Sequence, residues 1–126
     1  MARLEGRTGS APKPDAPYSQ AVRIGSTIAV AGQVGLDPKT GQLAGRDVGA
    51  QTIQAFKNVE AVLAASGASL DDVIRVDVDL STLSDFEAMN EQYVHVFSTP
   101  YPTRTTVGVE LPEGLKVEIT ALAVQN

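Results

Sequence analysis

Two short segments carry the residue types best suited to chemistry. Pro102-Thr103-Arg104-Thr105-Thr106-Val107 places an arginine at the start of an alternating stretch, and Lys116-Val117-Glu118-Ile119 places a carboxylate in the next one. By parity Arg104 and Thr106 share a face, and Glu118 points away from Val117 and Ile119. A planar guanidinium fits a substrate carboxylate through two parallel hydrogen bonds. A glutamate accepts a proton from an attacking water. The pair suits a small acidic substrate that reacts with water. On spacing alone the plainer reading is a cross-strand ion pair on a solvated sheet face, which contributes little.

The rest of the chain narrows that chemistry. Its 126 residues include no cysteine, which excludes disulfides, a thiolate nucleophile and Cys-ligated metal sites. His95 is the single histidine, so a serine–histidine relay would have to use it, and a multi-histidine metal site is excluded. His95 lies on the opposite side of its helix from Phe86 and is expected to be exposed and idle. Asp71-Asp72 reads as a solvated turn, because no third metal ligand falls at a recognisable spacing. Net charge is −5, and eight of the fifteen acids lie between Glu60 and Glu91. No basic stripe offers itself to phosphates, so no nucleic-acid partner is expected. No apolar run reaches the roughly 18 residues of a membrane span, and the N-terminus lacks the apolar core of a secretory signal. The expected location is the cytoplasm, away from membranes.

The elements that must position these residues follow from pattern. Residues 1–15 read as a flexible arm and residues 16–126 as one domain, ordered from about Tyr18. Ala21–Ile24 and Thr27–Gly32 are strands joined by the Gly25-Ser26 turn. Asp37-Pro38-Lys39-Thr40-Gly41 is a loop turn. Asp47 opens a helix to about Ser66, with Ile53, Phe56, Val59 and Leu63 in one arc and Gly67 as its stop. Val73–Ser81 alternates, with Ile74, Val76, Val78 and Leu80 on one face and Arg75, Asp77 and Asp79 on the other. Ser84 opens a second helix through a Ser84/Glu87 capping box, and Phe86, Asn90, Tyr93 and Phe97 form its stripe. Two last strands, around Thr105–Val109 and Val117–Ala123, are expected to form a hairpin through Leu111-Pro112-Glu113-Gly114. The predicted fold is α+β: a mixed sheet with two helices packed on one face, its other face turned to water or to an oligomer's centre.

Several of these segments together resemble the Rid (YjgF-like) family of reactive-intermediate deaminases. Ala16-Pro17-Tyr18-Ser19-Gln20-Ala21-Val22 resembles its "GPYSQAV" segment, and Ala31 to Gly41 its "SGQ…P.TG" loop. Phe86, Asn90 and Tyr93 match its "F…N..Y" helix pattern. Pro102-Thr103-Arg104-Thr105 and Val117-Glu118-Ile119 match its C-terminal signature.

The resemblance implies a chorismate-mutase-like fold, a homotrimer with clefts at the subunit interfaces, and no cofactor. It implies hydrolysis of 2-imino acids, and of the 2-aminoacrylate-type enamines that tautomerise to them, giving 2-oxo acids and ammonia. Short side chains are expected, as in 2-iminopropanoate and 2-iminobutanoate. By residue match Arg104 holds the substrate carboxylate, Glu118 positions the water, and the Thr106 carbonyl helps to hold that water. Tyr18, Gly32 and Asn90 line the pocket. Each has a plainer reading: Tyr18 an anchor for the arm, Gly32 a bulge, Asn90 a structural hydrogen bond.

Two positions depart from the family pattern. Ala31 stands where serine usually precedes the Gly-Gln pair, and the segment between Arg104 and Glu118 is one residue shorter. The turn is expected to absorb that residue, since Val117 and Ile119 must stay inward. The alternative function is a non-catalytic binder of a small carboxylate metabolite using the same cleft. A ribonuclease reading, from a label the family has carried, sits poorly with the acidic charge.

Overall fold

The computed structural model describes residues 2–126. Strands β1 (Leu4–Gly6), β2 (Ala21–Ile24), β3 (Thr27–Val34), β4 (Val73–Leu80), β5 (Thr103–Gly108) and β6 (Val117–Val124) form one mixed sheet in the order β1-β2-β3-β6-β4-β5. Helices α1 (Val48–Ala65) and α2 (Phe86–Val96) lie side by side on one face. Two strand–helix–strand units build the centre, β3-α1-β4 and β4-α2-β5. β4 and β5 are accordingly parallel, while β6 inserts antiparallel between β3 and β4. The core lies between sheet and helices, around Ile28, Leu63, Leu80, Met89 and Ile119.

Local chemistry sets the boundaries. Gly25 and Gly41 adopt the positive φ that their turns require. The Asp47 carboxylate accepts from the Ala50 N–H at 2.8 Å and opens α1, and Gly67, at φ +79°, follows its end. Buried glutamines lock the loops. Gln20 donates to the carbonyls of Thr8, Ala11 and Pro12. Gln51 donates to those of Gly45 and Gly114 and accepts from Lys116 N–H.

Five expectations are corrected. The arm expected to be flexible enters the sheet: Leu4–Gly6 pairs with β2, Ala11 is buried, and Gln20 holds the segment between; Met1 lies outside the described residues. The β5–β6 hairpin does not form, because β4 lies between those strands. The link crosses the end of β4, where Val109 N–H donates to Leu80 and Ser81 N–H to Lys116. Val117 and Ile119 nonetheless face inward, as expected. Ile74 leaves its predicted face, since a shift in the β4–β6 register between Val73 and Arg75 bulges it outward, 49% exposed. Ile53 also lies outside the core, because the buried arc of α1 runs through Thr52, Ala55, Val59 and Val62. Finally, Thr82 does the capping assigned to Ser84. Its hydroxyl accepts from Ser84 N–H, a short 3₁₀ turn (Leu83–Asp85) follows, and α2 starts at Phe86.

Candidate active site

Arg104 enters from β5, an edge strand, opposite Val76 of β4. Paired residues on adjacent strands share a face, so its side chain lies on the helix-covered side. There its guanidinium carbon sits 4.6 Å from the Tyr93 ring centroid and 5.4 Å from that of Phe86. Among the described residues no carboxylate pairs with Arg104; the ion pair present is Arg75–Asp77, at 3.1 Å on the opposite face. Beside Arg104 is a hollow of about 350 Å³, lined by Asn90, Tyr93, Val94, Tyr101, Pro102 and Arg104 itself. The Asn90 Oδ1 and Tyr93 hydroxyl are buried with no hydrogen-bond partner. Burial pushes the Tyr93 hydroxyl above its ordinary pKa, against the opposing pull of the Arg104 charge and of the guanidinium N–H groups, which approach the hydroxyl without reaching full hydrogen-bond geometry.

Glu118 lies on β6 opposite Asp79 of β4, hence on the open face of the sheet. It is half-buried. Burial raises its pKa above the ordinary carboxylate value, and the Asp79 charge raises it further. Two carboxylates directly across a strand pair repel, a cost that marks the position as one to examine for function. Behind Glu118, β3 bulges: Ala31 and Gly32 together oppose Thr120, and a Cβ at Gly32 would strike the Glu118 carboxyl. The bulge reading of Gly32 and its closeness to Glu118 are therefore one feature.

The predicted residues thus fall into separate groups. Asn90 and Arg104 share one hollow, and Thr106, opposite Val78, shares their face. Gly32 and Glu118 are together on the other face. Tyr18 is 54% exposed on a separate hollow of about 570 Å³ within the N-terminal segment, with Arg7 and Lys13. Arg104 and Glu118 are not cross-strand neighbours. Two strand spacings and three residues of register separate them, about 14 Å along the sheet, and they face opposite ways. The cross-strand ion pair, the plainer sequence reading, is excluded for a single chain.

Phe86, Tyr93 and Tyr101 were the residues that pattern alone left out of the site. Phe86 shares its stripe with the buried Tyr93 and Phe97, yet it is 36% exposed and covers Arg104. Its signal was the 86/90/93 spacing, which sets two rings and an amide on one side of α2. Among the described residues no group of three His, Asp or Glu side chains can hold a metal, and Asp72 instead accepts from Ser69 N–H. No helix there is long and apolar enough to cross a membrane. His95 is exposed.

Comparison with known proteins adds independent observations. The family model described as Endoribonuclease L-PSP matches residues 8–125. A RutC family protein of Pyrococcus horikoshii is 45% identical over 120 residues, 94% of this chain and 95% of its own. The human 2-iminobutanoate/2-iminopropanoate deaminase is 40% identical over 120 residues, 94% of this chain and 88% of its own. RidA from the Antarctic bacterium Psychrobacter sp. PAMC 21119 superposes with a TM-score of 0.93 at 42% identity, covering 98% of this chain and 100% of the other. With these matches spanning nearly the whole fold and both signature segments, the chain belongs to the Rid (YjgF-like) family.

Proposed function

We propose that the protein hydrolyses 2-imino acids to 2-oxo acids and ammonia. The carrying observation is Glu118: a half-buried carboxylate of raised proton affinity, with no hydrogen bond from this chain among the causes of that shift. Such a group is suited to accept a proton from water. The human relative's name supports the same reaction class.

That Arg104 and Glu118 face opposite ways supports a site completed between copies of the chain, and the family resemblance supplies a homotrimer. Arg104, Asn90 and Thr106 come from one copy, and Glu118, Gly32 and Tyr18 from its neighbour. Arg104 binds the substrate carboxylate. As the water oxygen bonds to C2, Glu118 takes its proton, with the Thr106 carbonyl helping to hold that water. The C=N bond becomes a C–N single bond in a carbinolamine. With the imine protonated at the outset, that carbinolamine is neutral. Glu118 then returns its proton to nitrogen. The C–N bond breaks as the O–H bonding pair forms the carbonyl, and the hydroxyl proton passes back to Glu118 as ammonia leaves. An imine is already electrophilic, so placement and one base suffice.

The test is hydrolysis of 2-iminobutanoate, generated in place by a threonine dehydratase with a competing amine trap present. Wild-type protein should speed 2-oxobutanoate formation, and Arg104→Ala and Glu118→Gln should abolish that gain. No acceleration by folded wild type would overturn the hydrolase reading and leave a carboxylate-binding protein.

A further inference from the structure

The proposed reaction needs Arg104 charged, fixed and free to meet an anion. An arginine is charged by default, but on an edge strand it is neither fixed nor kept clear of a counter-ion. Its long side chain is mobile, and a nearby carboxylate would orient it only by occupying its donors and cancelling its charge.

The guanidinium is held differently here. It lies over two rings of α2, Tyr93 at 4.6 Å and Phe86 at 5.4 Å. The two residues are seven apart, two helical turns, so both rings rise from one stripe. Tyr93 is the rigid half: it is 5% exposed, and its ring is braced by Phe56 at 5.7 Å in an edge-on contact and by Phe97 at 5.2 Å. Phe86 is the outer half, more than a third exposed, and it shields the charge from water. Ring faces attract a cation through their quadrupole without using its in-plane N–H donors, and of the two side chains only the Tyr93 hydroxyl approaches those donors here. Partial desolvation strengthens both that attraction and any later pairing with an anion.

We propose that Phe86 and Tyr93 are positioning residues that clamp the Arg104 guanidinium with its charge uncancelled, committing it to a ligand carboxylate. The inference rests on the site assignment above. It explains how Arg104 is ordered without a counter-ion, and why Phe86 stays exposed although its spacing fits the core. It also makes a kinetic claim: the clamp acts on carboxylate binding, equally in ground and transition states, so it sets KM and leaves kcat alone.

The experiment uses Phe86→Leu, which keeps an apolar side chain at an exposed position but removes the ring face, with Phe86→Tyr to restore it. Binding of 2-oxobutanoate by titration calorimetry is read beside steady-state kinetics. For Phe86→Leu, the 2-oxobutanoate Kd and the KM for 2-iminobutanoate should rise roughly three- to tenfold, with kcat within about twofold of wild type. Phe86→Tyr should match wild type. Unchanged Kd in Phe86→Leu, or equal weakening in Phe86→Tyr, overturns the clamp. If wild type binds 2-oxobutanoate without turning imine over, the hydrolase reading fails while the Kd comparison still decides the clamp. If wild type does not bind it, the Arg104 site and the clamp fail together.

Discussion

A Cβ on Gly32 would lie 2.8 Å from the Glu118 carboxyl carbon and 2.9 Å from its Oε2. The glycine is therefore the floor on which the proposed base rests. Alanine there collides with the end of a flexible side chain, not with backbone, so the fold should survive and Glu118 should swing aside. Gly32→Ala should lower kcat on the order of ten- to a hundredfold, the cost of a displacement near 1 Å. Its melting temperature should stay close to wild type. Kinetics and thermal unfolding measured on the same preparation check this, and unchanged kcat would separate Gly32 from the reaction.

The same carboxylate has a defined pH signature. Burial, and then Asp79, raise its pKa in the folded chain. The folded state thus holds this proton more tightly than the unfolded state does. Its contribution favours folding below the ordinary carboxylate range and is lost as pH rises through the raised value. At neutral pH the ionised Glu118 is a cost to the fold. Glu118→Gln should consequently unfold at a higher temperature than wild type at pH 7, with the difference closing in acid, although it is inactive. Activity needs the ionised base, so kcat/KM should fall on the acid side as Glu118 takes up its proton. Asp79→Asn should move that fall to lower pH by removing the neighbouring charge.

Much of this was legible in local pattern, and the failures have local causes. The alternation of Val117, Ile119, Ala121 and Ala123 is what the core shows, because β6 is the central strand and its inner face has nowhere else to go. Ile74 broke the same rule one strand away, since a bulge is a pairing event that its own segment does not announce. The separation of Arg104 from Glu118 was hidden for a related reason. Consecutive strands suggest a hairpin, and only the whole sheet reveals that β4 lies between them. The exposure of Phe86 was hidden because helical spacing identifies a stripe but not what covers its end.

Gln51 ties the helix to the loop that delivers Glu118. It is fully buried, and its side chain serves the Gly45 and Gly114 carbonyls and the Lys116 N–H, two residues before Glu118. Gln51→Leu keeps the bulk but leaves three backbone groups without partners. The expected cost is about 2–4 kcal/mol, most of it desolvation that nothing repays. For a domain of this size that lowers the melting temperature by roughly 10 °C. Differential scanning calorimetry decides it, and a shift of only a degree or two would mean that water replaces the amide.

The opposite-facing placement of Arg104 and Glu118 makes a prediction about mixtures. If each site takes Arg104 from one copy and Glu118 from the next, then Arg104→Ala and Glu118→Gln subunits are each dead alone but complementary. In a closed ring of three, every mixed trimer contains one interface where an intact Arg104 meets an intact Glu118. Equal amounts of the two variants, unfolded and refolded together, should therefore recover about a quarter of wild-type activity. Mixing the folded variants without exchange should recover none. Light scattering should report the mass of three chains throughout. A site completed within one chain gives no recovery under either protocol, whereas the recovered quarter is the same for a closed ring of any size, so light scattering alone reads the number of chains. The rates thus read the site's shared construction, and the scattering mass reads the assembly that shares it.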